Sequence, residues 1–99
     1  MSFFDNKMKL TLQQINEELK GLNEWEFSYS DNSITKKFQF NDFKESMEFV
    51  NKVAELAEEI EHHPDILINY NIVKIILTTH SEDGITDKDI KLAKEINSL

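Results

Sequence analysis

The spacing of apolar residues switches back and forth between a helical period and a strand period, and this constrains the fold before any motif is considered. Ile15, Leu19 and Leu22 fall on one helical face. Trp25, Phe27 and Tyr29 then alternate with Glu26, Ser28 and Ser30, the period of two of a half-buried strand. Asp31-Asn32 offers turn chemistry. Ile34, Lys36, Phe38 and Phe40 alternate with Thr35, Lys37 and Gln39 in a returning strand, in which Lys36 is the one misfit. Helical spacing resumes from Phe43 to Ile60. Ile66, Ile68 and Tyr70, the turn residue Asn71, and Val73, Ile75 and Leu77 then predict a second hairpin, with Val73–Thr79 its longer arm. Ile90, Leu92, Ala93 and Ile96 give a last helix its apolar side. The order is α-β-β-α-β-β-α. Hairpins separated by single helices give an α+β fold: a four-stranded antiparallel sheet with three helices packed on one face. The other face is polar enough to be wet or to line a site.

The helix ends are written locally. Thr11 with Gln14, and Thr86 with Asp89, have the spacing of capping boxes, and Leu10/Ile15 and Ile85/Ile90 are placed as hydrophobic staples. Gly21 is placed to stop the first helix by taking a positive φ. Asn41 or Asp42 caps the second helix, with Glu45 three residues after Asp42. That helix carries two apolar rows, Phe43, Met47, Val50, Ala54 and Ala57 beside Phe49, Val53, Leu56 and Ile60, wider than one core contact needs. Either it is buried centrally or one edge of the stripe meets another subunit. Glu45, Glu48, Glu55, Glu58 and Glu59 fall mostly on its other, solvated face. Pro64 prevents the helix from continuing and biases His63 away from the helical region.

Composition narrows the classes of function. At 99 residues, with no shift in composition along its length, the chain reads as one domain, residues 1–99. Nineteen acids against eleven lysines, a net charge of −8, argue against nucleic acid, which needs a cationic surface. No apolar run approaches a membrane span. Cysteine is absent, which excludes disulfides and thiolate metal sites and fits a reducing compartment. Met1 to Lys9 lacks a signal pattern, and Phe3 and Phe4 either pack on the domain or fray.

The three histidines all fall at element ends, where a rigid scaffold presents functional groups. His62 and His63 end the long helix beside Pro64, and His80 follows the strand Val73–Thr79. If Asp65–Thr79 is an antiparallel hairpin, its end returns to its beginning and His80 approaches the other two. Such a cluster suits acid/base catalysis, because imidazole can give or take a proton near neutral pH. Three histidines and a water are also a catalytic zinc pattern, but adjacent His62 and His63 diverge and no i, i+4 ligand pair exists. The plainest alternative is helix termination, with His62 complementing the negative helix end. Asp89 is either the cap partner of Thr86 or a carboxylate that orients an imidazole. Thr78 and Thr79 are ordinary strand residues whose backbone would flank any ligand held by His80, and Trp25 and Tyr70 read as core.

These residues resemble a known family. Glu61-His62-His63-Pro64, Tyr70-Asn71, Val73, Leu77, Thr79-His80, Gly84, Asp89-Ile90 and Leu92-Ala93 are similar, in register, to the pterin-4a-carbinolamine dehydratases, also called 4a-hydroxytetrahydrobiopterin dehydratases. Leu10-Thr11, Trp25 and the run Phe38, Phe40, Asp42, Phe43 extend the likeness over nearly the whole chain. The histidine pair with its proline and the Thr79-His80 pair are specific at this separation; either alone would be weak.

The resemblance implies the fold read above. It implies a cytoplasmic enzyme that removes water from a 4a-hydroxytetrahydropterin to give quinonoid dihydropterin, in tetrahydrobiopterin recycling beside an aromatic amino acid hydroxylase. It implies His62, His63 and His80 as catalytic residues and Glu61, Thr78, Thr79 and Ser81 at substrate-contact positions. Asp89 matches an active-site carboxylate on the substrate side. It implies no metal and no cofactor, and a homodimer or homotetramer. Two positions depart: Glu61 stands where animal members have Asp, and Ile66 replaces a common aromatic residue. The alternative on the same fold is a non-enzymatic protein-interaction or assembly role, since animal members also serve as dimerisation cofactors for a homeodomain transcription factor.

Overall fold

A computed structural model describes residues 9–99, so Phe3 and Phe4 lie outside the described residues. The chain runs α1 (Leu12–Leu19), β1 (Glu26–Ser28), β2 (Ser33–Gln39), α2 (Phe43–Ile60), β3 (Asp65–Asn69), β4 (Ile72–Leu77), a short 3-10 turn (His80–Glu82) and α3 (Asp87–Asn97). The four strands form one antiparallel sheet in the order β1-β2-β4-β3. This is the α+β architecture that the alternating periods require.

The helices open as the sequence predicts. Thr11 and Gln14 exchange hydrogen bonds in a capping box, as do Thr86 and Asp89, and the Asp42 carboxylate accepts from the Glu45 N–H at 2.9 Å. Each cap satisfies donors that a helix start otherwise leaves open. Ile34, Val73, Ile75 and Leu77 form the fully buried helix-facing side of the sheet, and they join Val53, Ala57, Leu92, Ala93 and Ile96 in one core. Lys36 stands on this side too, which explains the break in alternation. Its ammonium lies over the Phe38 ring, 4.8 Å from the centroid, and donates to the Asn23 carbonyl and to Asn97 Oδ1, both at 2.9 Å. The same Asn97 oxygen accepts from the Trp25 indole, so one side chain ties the end of α3 to the sheet.

Several expectations need correction. Gly21 has no positive φ; α1 ends at Leu19 with Lys20 still right-handed, and the left-handed residue of that connection is Glu24. Tyr70 is not core. It takes a positive φ in the β3–β4 turn and is 61% exposed, because a two-residue hairpin turn turns its side chain out of the pleat. Tyr29 lies past β1 and is also exposed. β4 stops at Leu77, two residues short of Thr79. Central burial of α2 does not hold either. Only Ser46, Val53 and Ala57 are buried on it; Phe43 and Ala54 are exposed, and Met47 and Val50 half-buried. The row of Phe49, Val53, Leu56 and Ile60 therefore packs on the core, whereas the other is only partly covered by the rest of this chain, with Phe43 and Ala54 exposed. Glu48, Glu55, Glu58 and Glu59 are solvated as expected.

Register determines what lies at the sheet's end. Asp65 pairs with Ile76, so the residues just before Asp65 and just after Ile76 leave the sheet side by side.

The two sheet faces should differ sharply in cost. Ile75→Ala should lower the unfolding free energy by about 2–5 kcal/mol, whereas Leu67→Ala, on the exposed edge strand, should change it by less than about 0.5 kcal/mol. Urea unfolding followed by circular dichroism measures both; equal losses would contradict this assignment of faces.

Candidate active site

The site begins where α2 ends. Glu61 adopts φ 59°, ψ 42°, and its N–H reaches the carbonyls of Ala57 and Glu58, while the His62 N–H returns to the Ala57 carbonyl at 3.1 Å. This closure satisfies the last helical carbonyls with a left-handed residue, a position usually held by glycine or asparagine. The chain thus leaves the helix before it reaches Pro64. The turn sends the two histidines to different surroundings. His62 points inward and its side chain is 10% exposed. His63 points outward and pairs with Glu58, one turn back on α2, at 2.6 Å.

The second half comes from the chain beyond β4. Thr79 and Gly84 face each other in an isolated antiparallel bridge, with the Thr79 N–H to the Gly84 carbonyl at 2.9 Å. The 3-10 turn between them holds His80 and Ser81 at the surface. α3 starts directly afterwards and brings the third component, Asp89.

Asp89 is fully buried, and its two oxygens have different tasks. Oδ2 accepts from the Thr86 N–H at 2.9 Å, completing the capping box, and from the Thr79 hydroxyl at 2.8 Å. Oδ1 lies 2.5 Å from His62 Nε2. The cap and the imidazole partner, alternatives in the sequence, are one carboxylate doing both. A buried carboxylate must be paired and hydrogen-bonded, and this one is.

These segments enclose an open cleft of about 310 Å³. Glu61, His62, His63, Thr78, Thr79, His80 and Ser81 all line it, and Asp89 lies behind His62. The structure therefore brings together every site residue expected from the sequence, drawn from three separate stretches of chain. It also reassigns two hydroxyls. Thr78 Oγ1 donates to the Asn32 carbonyl at 2.8 Å, and Thr79 Oγ1 to Asp89, so neither has a hydrogen left to give a ligand. Among the described residues, no group of three His, Asp or Glu side chains is arranged to hold a metal ion.

Two lining residues, Thr86 and Lys88, escaped the sequence reading. A signal for Lys88 existed: it is a cation in the first turn of α3, where the helix dipole disfavours positive charge. Residues that break a local rule are candidates for function. Chemically, the cleft offers imidazoles able to donate and accept protons, a carboxylate at its rim and one ammonium. Another hollow, of about 210 Å³, is lined mainly by apolar side chains around Leu10, Leu12 and Phe27, and none of the described residues lining it carries an imidazole or carboxylate.

A family model described as Pterin 4 alpha carbinolamine dehydratase matches residues 8–99. A protein of Sulfurisphaera tokodaii provisionally named a pterin-4-alpha-carbinolamine dehydratase is 50% identical, over 92% of this chain and 96% of its own. A likewise provisionally named protein of Sulfolobus acidocaldarius is 46% identical over 93% of this chain and 99% of its own. Among solved structures, one titled as a transcriptional coactivator/pterin dehydratase from Brucella melitensis superposes with a TM-score of 0.87 at 39% identity, covering 91% of this chain and 96% of that one. A pterin dehydratase-like protein identified as a RuBisCO assembly factor in the alpha-carboxysome shares the fold, with a TM-score of 0.66 at 21% identity over 77% of this chain and 88% of its own.

The left-handed Glu61 gives a stability test of the α2 ending. Glu61→Gly should raise the unfolding free energy by about 1 kcal/mol, because glycine takes this conformation without a steric cost. A lower urea midpoint in the variant would mean that the Glu61 side chain, and not its backbone, holds the turn.

Proposed function

Because the chain belongs to the pterin-4a-carbinolamine dehydratase family, we propose that it converts a 4a-hydroxytetrahydropterin to quinonoid dihydropterin and water. The observation that carries this reading is the convergence of three imidazoles, from the end of α2 and from the turn after β4, on one cleft. The reaction breaks the C4a–O bond and removes the proton from N5. The hydroxyl leaves with an added proton as water, the N5 electron pair forms the new C=N bond, and no electrons enter or leave. One proton donor and one proton acceptor are sufficient, and imidazole serves as either near neutral pH.

In this scheme His62, His63 and His80 are the catalytic residues. Glu61 and Ser81, with the backbone of Thr78 and Thr79, border the polar edge of the pterin, a task that suits a few fixed polar groups in a cleft. Asp89 acts through His62. The reading includes a cytoplasmic place in tetrahydrobiopterin recycling beside an aromatic amino acid hydroxylase. It also includes a homodimer or homotetramer joined through the partly exposed α2 row of Phe43, Met47, Val50 and Ala54, because such an apolar row suits a subunit interface. A single-chain mass in solution would remove that last part.

A second reading, an interaction or assembly protein without catalysis, draws on the same partly exposed row and on the coactivator role named for the 39%-identical structural neighbour. One assay separates the two. In stopped-flow measurements of 4a-hydroxytetrahydropterin breakdown, the protein should accelerate dehydration over buffer. His62→Ala and His80→Ala should each reduce kcat by about 10²-fold or more, the usual worth of a positioned acid or base. No acceleration by the wild type, or full activity without His80, would sink the enzyme reading.

A further inference from the structure

Thr79 and Thr86 sit beside the proposed site, yet their hydroxyls are turned away from any ligand. The Thr79 hydroxyl has one hydrogen, and it goes to Asp89 Oδ2 at 2.8 Å. The 2.8 Å contact between the two threonine hydroxyls must then be a bond donated by Thr86. Thr86 Oγ1 in turn accepts from the Lys88 N–H at 3.3 Å. The chain of donors has one direction: Lys88 N–H to Thr86, Thr86 O–H to Thr79, Thr79 O–H to Asp89. The backbone N–H of Thr86, which can only donate, meets the same Asp89 oxygen at 2.9 Å. Thr79, Thr86 and Asp89 are all buried, so no solvent competes to reverse this order.

We infer that Thr79 and Thr86 are positioning residues: they pin Asp89 Oδ2 and leave Oδ1 to set the tautomer of His62. With Oδ2 saturated by donors, Asp89 has Oδ1 left for the imidazole, and a carboxylate oxygen can only accept. His62 therefore carries its proton on Nε2, and Nδ1, which has no partner among the described protein groups, holds the lone pair. His62 is thereby set as a proton acceptor through Nδ1. Which ring nitrogen is protonated is determined by the bond the other makes. The substrate-contact position implied for Thr79 by family likeness becomes a supporting one: its hydroxyl acts on the carboxylate behind the histidine. The role as acceptor rests on the dehydratase reading, whereas the tautomer does not.

The direction of the relay makes a specific test possible. In Asp89→Asn, the Thr86 N–H still needs an acceptor, so the carboxamide oxygen must take the Oδ2 place. Its NH2 then faces His62 Nε2, which must become the acceptor and move the proton to Nδ1. Long-range 1H–15N correlation spectra of the neutral imidazole should show the Nε2–H form in the wild type and in Thr79→Ser. They should show the Nδ1–H form in Asp89→Asn and still the Nε2–H form in Thr79→Val, whose carboxylate is intact. In the dehydration assay Asp89→Asn should lose on the order of 10²–10⁴-fold in kcat, the size of effect a wrong tautomer has on a catalytic histidine elsewhere. Thr79→Val should lose about tenfold, as second-layer hydrogen-bond partners do at metal-bound histidines, and Thr79→Ser should restore the rate. An unchanged Nε2–H form in Asp89→Asn, or a wild-type rate in Thr79→Val, would overturn the inference. The expected spectra in a protein without dehydratase activity would leave the tautomer assignment standing and overturn the proposed function instead.

Discussion

The arrangement depends on one buried negative charge. An ionised carboxylate taken out of water without partners costs several kcal/mol, a large fraction of what a domain this size has to spare. Asp89 is fully buried, so the chain has to surround it with donors. Those donors come from three places: Thr79 beyond β4, Thr86 at the start of α3, and His62 beyond the end of α2. Satisfying the charge therefore fixes these three pieces of backbone relative to one another. The same bonds that stabilise the α3 start also orient the imidazole, so local helix chemistry and the candidate site cannot be varied independently.

The sheet does the coarser positioning. Pairing of Asp65 with Ile76 sends the two ends of the β3–β4 hairpin out at one edge, and the candidate site occupies that edge. The left-handed Glu61 turns α2 off just before it, and the Thr79–Gly84 bridge closes the opposite side. A left-handed non-glycine residue next to a cluster of imidazoles is the kind of local cost that persists where the surrounding structure over-determines the backbone. Charge plays a smaller part than the net −8 suggests, since Glu48, Glu55, Glu58 and Glu59 are solvated on one face of α2. Of these, only Glu58 comes near the cleft, through His63.

Much of the fold was legible because its signals are local or periodic. Two capping boxes, the alternation in β2 and β4, and the order of elements all appear as written. The errors have physical causes. Tyr70 continues an alternating pattern on paper, but the two-residue turn needs a left-handed residue there and turns it outward. Gly21 looks like a helix stop, yet the left-handed residue of that connection is Glu24, which carries no glycine-like signal. The apolar rows of α2 gave the width of its stripe but not how much of it this chain covers.

The sequence by itself determined the class of fold, the helix starts, and most of the residues at the cleft, because period, capping and residue type are properties of neighbours along the chain. Only the tertiary structure decided what each of those residues touches. It turned Asp89 from a choice between cap and partner into both. It committed the hydroxyl hydrogens of Thr78 and Thr79 to acceptors within the protein, and it added Lys88 and Thr86 to the cleft wall. These outcomes depend on contacts between residues far apart in the chain, and on which of two carboxylate oxygens faces which donor. Spacing along a sequence carries no record of that.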